Sequence, residues 1–127
     1  MKIDHVAMYV NDLEKARNFF VNYFEGRSGD LYRNPVTRFQ SYMICFEDGT
    51  RLELMKAAHM TDEHKPLDRT GYAHICFSVG SKDKVDTMCK LLKQDGFPVI
   101  SNPRQTGGGG YTCRVIAFEG NQIEITE

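Results

Sequence analysis

The sequence predicts an α+β fold built from two tandem βαβββ modules, each forming a curved mixed sheet. Three observations predict it. First, Asp4-His5-Val6-Ala7-Met8-Tyr9-Val10 and Ala73-His74-Ile75-Cys76-Phe77-Ser78-Val79 match each other. Each places a histidine ahead of a short apolar strand pattern, with a valine five positions on. Second, each segment leads into an amphipathic helix pattern closed by a glycine, Gly26 and Gly96. Third, each half ends on a strand carrying one carboxylate between aliphatics, Leu52-Glu53-Leu54 and Ile123-Glu124-Ile125, four residues after a turn glycine, Gly49 and Gly120. Histidine and carboxylate are 48 residues apart in the first half and 50 in the second. The reading is a duplicated β-rich unit that brings two histidines and two glutamates to one metal.

A chain of 127 residues suits one domain, residues 1–127, with its own core. Module 1 covers about residues 1–56, a linker 57–70 and module 2 about 71–127. The composition, 41% hydrophobic and 26% charged, is that of a globular protein. A formal net charge of −1 predicts no nucleic-acid partner and no membrane surface. No apolar run approaches the roughly 18 residues a membrane span needs. The N-terminus enters a strand pattern directly, without the layout of a secretion signal. Cys45, Cys76, Cys89 and Cys113 show no C-x-x-C spacing and fall inside strand and helix patterns. They read as small buried hydrophobes in a reducing cytoplasm.

Residues 3–10 alternate with a period of two, with Ile3, His5, Ala7 and Tyr9 on one face and Val6, Met8 and Val10 on the other. Asp12 is placed to cap the helix that follows. Its stripe is Leu13, Ala16, Phe20, Tyr23 and Phe24, widened by Phe19, and Gly26 is expected to end it in a left-handed conformation. Residues 27–37 read as loop with one short strand, and 38–47 as a strand. Asp48-Gly49 signals a hairpin, and 50–56 return with Arg51, Glu53 and Met55 on one face. Residues 57–70 lack periodicity and read as a linker or flap; His59 and His64 there read as solvated loop histidines. In the second half, Ser81 caps a helix to about Asp95 with Val85, Met88, Cys89 and Leu92 inward, Leu91 beside them, and its lysines outward. Phe97–Ile100 reads as a short strand. Residues 101–110 read as a mobile loop ending in four glycines, and Tyr111–Phe118 and Gln122–Thr126 as the last strands.

A carboxylate set between aliphatics is costly to bury without a partner, and a shared cation is such a partner. His5, Glu53, His74 and Glu124 would leave a six-coordinate ion two open positions. Imidazole and carboxylate suit Ni, Co, Zn, Fe or Mn alike. An open position lets the ion act as a Lewis acid on a substrate oxygen.

At these residues the chain resembles the vicinal oxygen chelate superfamily, which has the glyoxalase/bleomycin resistance/dioxygenase fold. The motifs are His5 to Leu13, Gly71-Tyr72-Ala73-His74-Ile75-Cys76-Phe77 and Gly120-Asn121-Gln122-Ile123-Glu124-Ile125. Short bacterial glyoxalase I enzymes use a His, Glu, His, Glu set, and His5, Glu53, His74 and Glu124 fall on those positions. The resemblance implies a divalent ion, Ni²⁺ or Co²⁺ ahead of Zn²⁺, and isomerisation of a hemithioacetal to a 2-hydroxyacyl thioester through an enediolate. It implies Glu124 as the catalytic base with Glu53 as its symmetric counterpart. It also implies a small-molecule substrate and a homodimer, with the site completed either within one chain or across two. Other metal enzymes of the superfamily (epimerase, thiol transferase, dioxygenase) and non-enzymatic small-molecule-binding resistance proteins are the alternatives. Tyr9 stands where many glyoxalases have an arginine, Ala57 where they have an asparagine, and the glycine run where they have a lysine. These departures open the choice of thiol. Among Arg38, Arg51, Arg104, Arg114 and Lys56, Arg51 is the first choice for a substrate-binding cation, because it shares a strand face with Glu53.

Overall fold

A computed structural model describes all 127 residues, which divide into two compact units, Met1–Glu63 and His64–Glu127. In the first, β1 (Val6–Tyr9) leads to α1 (Leu13–Phe24), then β2 (Arg27–Ser28), β3 (Tyr32–Arg33), β4 (Gln40–Cys45) and β5 (Arg51–Lys56). In the second, β6 (His74–Ser78) leads to α2 (Lys82–Gln94), then β7 (Val99–Gln105), β8 (Tyr111–Ile116), a 3-10 turn at Phe118–Gly120 and β9 (Gln122–Thr126). The sheet orders are β1-β5-β4-β2, with β3 also on β4, and β6-β9-β8-β7. Each sheet is mixed: the first strand runs parallel to the last of its half, and the other pairings are antiparallel. The expected α+β class is present; the second half has the βαβββ order, and the first half has it with one extra short strand after the helix. No helix is long and apolar enough to cross a membrane.

Strand periodicity decides what is buried. On β5, Leu52 and Leu54 turn inward with Tyr42 and Ile44 of β4, against Leu13, Ala16, Phe19 and Phe20 of α1. On β9, Ile123 and Ile125 turn inward with Cys113 and Val115 of β8, against Val85, Cys89 and Leu92 of α2. Each large side chain so enclosed contributes about 1.5–3 kcal/mol. Helix starts follow the sequence: the Asp12 carboxylate accepts from the Lys15 amide at 2.9 Å, and the Ser81 hydroxyl from the Lys84 amide at 3.3 Å. The Asp48-Gly49 turn forms with Gly49 at φ +85°, and Asp48 accepts from the Thr50 amide at 2.8 Å.

Several expectations are corrected. In the first helix the left-handed residue is Glu25, at φ 56°, and not Gly26. Gly26 instead permits a close approach: a Cβ there would lie 2.6 Å from Ile44 Cγ2 and 3.1 Å from the Phe20 carbonyl. The second helix does place its glycine in that region, Gly96 at φ 94°. On that helix Met88 is half-buried and Leu91 exposed. The loop of residues 27–37 contains two short strands on β4. Strand β7 reaches Gln105, with register irregularities around Pro103, as an edge strand tolerates. The glycine run is a bonded hairpin turn. The Thr106 amide donates to the Gly110 carbonyl at 2.8 Å, and the Gln105 side chain to the Gly109 carbonyl at 2.7 Å. The end of the linker is fastened to the second unit. Lys65 Nζ donates to the Glu119 carbonyl at 3.0 Å, and Gln122 Nε2 to the Leu67 carbonyl at 2.9 Å. All four cysteines are free; Cys89 and Cys113 are buried as expected, Cys45 is half-buried, and Cys76 is exposed on the same face of β6 as His74 and Ser78.

Gly26→Ala is expected to cost about 1–3 kcal/mol by overpacking, whereas Glu25→Gly, which removes the left-handed strain, is neutral or stabilising. Urea unfolding midpoints measure both. Equal midpoints for wild type and Gly26→Ala would show that the contact with Ile44 relaxes freely.

Candidate metal centre

The parallel pairings build the same small site twice. In the first unit the register sets Ala7 beside Glu53, and His5 immediately precedes that strand. Leu52 and Leu54 are sealed against α1, so Glu53 must face the other way, where it is half-buried. His5 Nε2 lies 3.7 Å from Glu53 Oε2. In the second unit Cys76 lies beside Glu124 and His74 beside Gln122. His74 Nε2 lies 3.5 Å from Glu124 Oε2. The structure thus brings His5 to Glu53 and His74 to Glu124. Within neither unit do three or more His, Cys, Asp or Glu side chains form a metal-holding group.

The donor set fits a divalent ion. Imidazole nitrogen sits roughly 2.0–2.1 Å and carboxylate oxygen roughly 2.0–2.2 Å from an ion such as Zn²⁺, so two such donors of one ion can be at most about 4.0–4.3 Å apart. Both separations fall inside that limit, with the nitrogen facing the oxygen in each case. Bound there, an ion would neutralise carboxylates that stand between buried aliphatic neighbours. Either pair can chelate through one nitrogen and one oxygen.

The surroundings of the two pairs differ. Beside Glu53 stand Ala7 and Met43. Beside Glu124, at the equivalent positions, stand Cys76 and Arg114. The Cys76 thiol reaches Glu124 Oε1 at 3.6 Å, and Arg114 Nε is 3.9 Å from Glu124 Oε2. His5 has a partner that His74 lacks: its Nδ1 is 2.8 Å from Asp4 Oδ2. The other oxygen of Asp4 takes Arg51 Nη2. The bond from His5, and then that from Arg51, hold the Asp4 carboxyl below its ordinary value. Arg51 is therefore engaged by Asp4. Reasoning from the sequence missed Asp4 and the contact of Cys76 with Glu124. The available signals were an acid directly before the first histidine, and Cys76 on the ligand-bearing face of its strand.

Partial burial pushes the Cys76 thiol up to about 11, with the charge of Glu124 and its bond adding to the effect. The ordinary value is 9.0, so at pH 8 the reactive thiolate is scarcer by a factor of about 100. Cys76 in the metal-free protein is expected to react slowly with iodoacetamide despite its exposure, and faster in Glu124→Gln, followed by peptide mass spectrometry. Fast alkylation in wild type would contradict the Cys76–Glu124 contact.

The chain is 25% identical over 131 residues to the lactoylglutathione lyase of Haemophilus influenzae, across 100% of this chain and 93% of that protein. It is similar in structure to a glyoxylase/bleomycin resistance protein/dioxygenase domain from Frankia sp. EAN1pec, with a TM-score of 0.82 and 17% identity, covering 99% of this chain and 96% of that one. It is also similar to a mutant of the fosfomycin resistance protein FosX from Listeria monocytogenes, solved with Mn(II) and a dihydroxypropylphosphonic acid. That match has a TM-score of 0.72 and 19% identity, and covers 98% of this chain and 90% of the other. A family model matches residues 2–125, and the chain belongs to the glyoxalase/bleomycin resistance protein/dioxygenase superfamily.

Proposed function

We propose that His5, Glu53, His74 and Glu124 together hold one divalent ion, Ni²⁺ or Co²⁺ ahead of Zn²⁺. We further propose that the protein is a glyoxalase I-like lyase, which converts a 2-oxoaldehyde–thiol hemithioacetal to a 2-hydroxyacyl thioester. The observation that carries this reading is the repeated His–Glu pair, at 3.7 Å in one unit and 3.5 Å in the other. The lactoylglutathione lyase relative, aligned over the whole chain, supports the reaction class. The Mn(II) in the fosfomycin-resistance neighbour supports a divalent ion.

When bound, the ion supplies Lewis-acid polarisation of the substrate's two adjacent oxygens. The chain's own residues do the rest. His5 and His74 bind through Nε2. Glu124 takes the proton from the carbon that bears sulfur and returns it to the neighbouring carbon, while the hydroxyl proton of the first carbon passes to the oxygen of the second, which leaves a thioester and a secondary hydroxyl. Glu53 holds the matching position in the other half. A carboxylate suits this because it accepts and releases a proton at one site without diffusing away. The working form is a homodimer, and the four free thiols fit a reducing cytoplasm.

The test is turnover of the methylglyoxal–glutathione hemithioacetal by protein reconstituted in turn with Ni²⁺, Co²⁺ and Zn²⁺. Metal-dependent thioester formation is expected; no turnover with any ion would remove the glyoxalase reading. His5→Ala and His74→Ala are each expected to lower metal affinity by more than the roughly 10- to 100-fold that losing an outer-shell partner costs. Far-UV circular dichroism is expected to stay unchanged in both. Unchanged metal stoichiometry in both variants would sink the four-ligand site. Metal binding and activity that survive Glu53→Gln would point instead to a three-ligand enzyme of the superfamily.

A further inference from the structure

We infer that Asp4, braced by Arg51, is a positioning residue that fixes the tautomer of His5 and so prepares only the first of the two histidines for a metal. The inference rests on the metal reading above, and deepens it.

Ionised Asp4 can only accept hydrogen bonds. Its Oδ2 is 2.8 Å from His5 Nδ1, so that nitrogen carries the proton of the neutral ring. The proton-free nitrogen is then Nε2, the one that faces Glu53 Oε2 at 3.7 Å. A ring hydrogen bond to a carboxylate fixes which nitrogen is free and raises its basicity toward a metal. Asp4 is itself held, because its second oxygen takes Arg51 Nη2. Arg51 stands two residues before Glu53 on β5. One strand therefore supplies both the carboxylate partner of His5 and the cation that anchors the orienting acid.

The second half has no such device. Ala73 precedes His74. Its neighbour in register is Gln122, whose Nε2 donates to the Leu67 carbonyl and whose buried Oε1 has no partner. The two histidines are thus unequal despite the duplicated plan.

The experiment is long-range ¹H–¹⁵N NMR of the histidine rings in metal-free protein at pH 8, together with calorimetric titration of Ni²⁺ alone. Wild type is expected to show His5 protonated on Nδ1. In Asp4→Ala the proton moves substantially to Nε2, and Ni²⁺ affinity falls by about 10- to 100-fold. The rings of His74 should not change. In Asp4→Asn, whose amide oxygen still accepts from Nδ1, the tautomer is kept and the loss is smaller. Asp4 is largely exposed, so both variants are expected to fold, which far-UV circular dichroism checks. A wild-type His5 protonated on Nε2 overturns the inference. So does Asp4→Ala that leaves tautomer or affinity unchanged. Failure of the hemithioacetal assay with Ni²⁺ binding intact would remove the proposed reaction while this result stands. Intact turnover with no effect of Asp4→Ala would do the reverse.

Discussion

Two glutamates are held on the outward side of strands whose other side is sealed against a helix, and the rest of the site depends on this. Leu52 and Leu54 are buried on one side of Glu53, as are Ile123 and Ile125 around Glu124. A strand alternates its side chains strictly, so a slip of one residue would drive the carboxylate into the core and the aliphatics out. The hydrophobic core therefore sets where the carboxylates point. The parallel neighbour then sets what they meet. Because β1 pairs with β5 and β6 with β9, a histidine at or just before the start of the first strand reaches the glutamate on the last. Neither histidine needs a special loop to place it.

Duplication fixes the plan but not the surroundings. Glu53 lies between Ala7 and Met43, where no neighbour competes for its oxygens except His5. Glu124 lies between Cys76 and Arg114, which approach one oxygen each. In the first half the histidine is buttressed, through Asp4 and Arg51. In the second half it is the carboxylate. Two copies of one fold can thus brace different members of the same His–Glu pair, the histidine in one and the carboxylate in the other.

Much of this was legible in the sequence, and the parts that were not have physical reasons. Strands β5 and β9 were readable because a charge between buried aliphatics leaves an unambiguous period of two. The caps at Asp12 and Ser81 were readable because short polar side chains satisfy free amides at those positions. Gly26 misled because glycine serves two purposes. The sequence signals a left-handed end, but the residue is there to let Ile44 approach, and Glu25 carries the positive φ. The extent of β7 was hidden by Asn102-Pro103, which an edge strand tolerates beside a register shift. The glycine run conceals its order because the bonds that fix it come from Thr106 and Gln105 outside it. The two His–Glu pairs were legible as a repeated pattern. The further partners of those residues were not, because a side chain's choice between solvent and an ion pair leaves no mark on spacing. Arg51 illustrates this: it shares a face with Glu53 but is engaged by Asp4.

The most direct test of the central claim is X-ray absorption spectroscopy of the Co²⁺-loaded protein. The account predicts a first shell of nitrogen and oxygen only, with two imidazoles in the outer-shell scattering. Cys76 touches Glu124 but lies outside the proposed ligand set, so the account predicts no sulfur scattering near the roughly 2.3 Å of a metal–thiolate bond. A sulfur in the first shell, or a single imidazole, would contradict it: the ion would then lie elsewhere than between the paired histidines and glutamates.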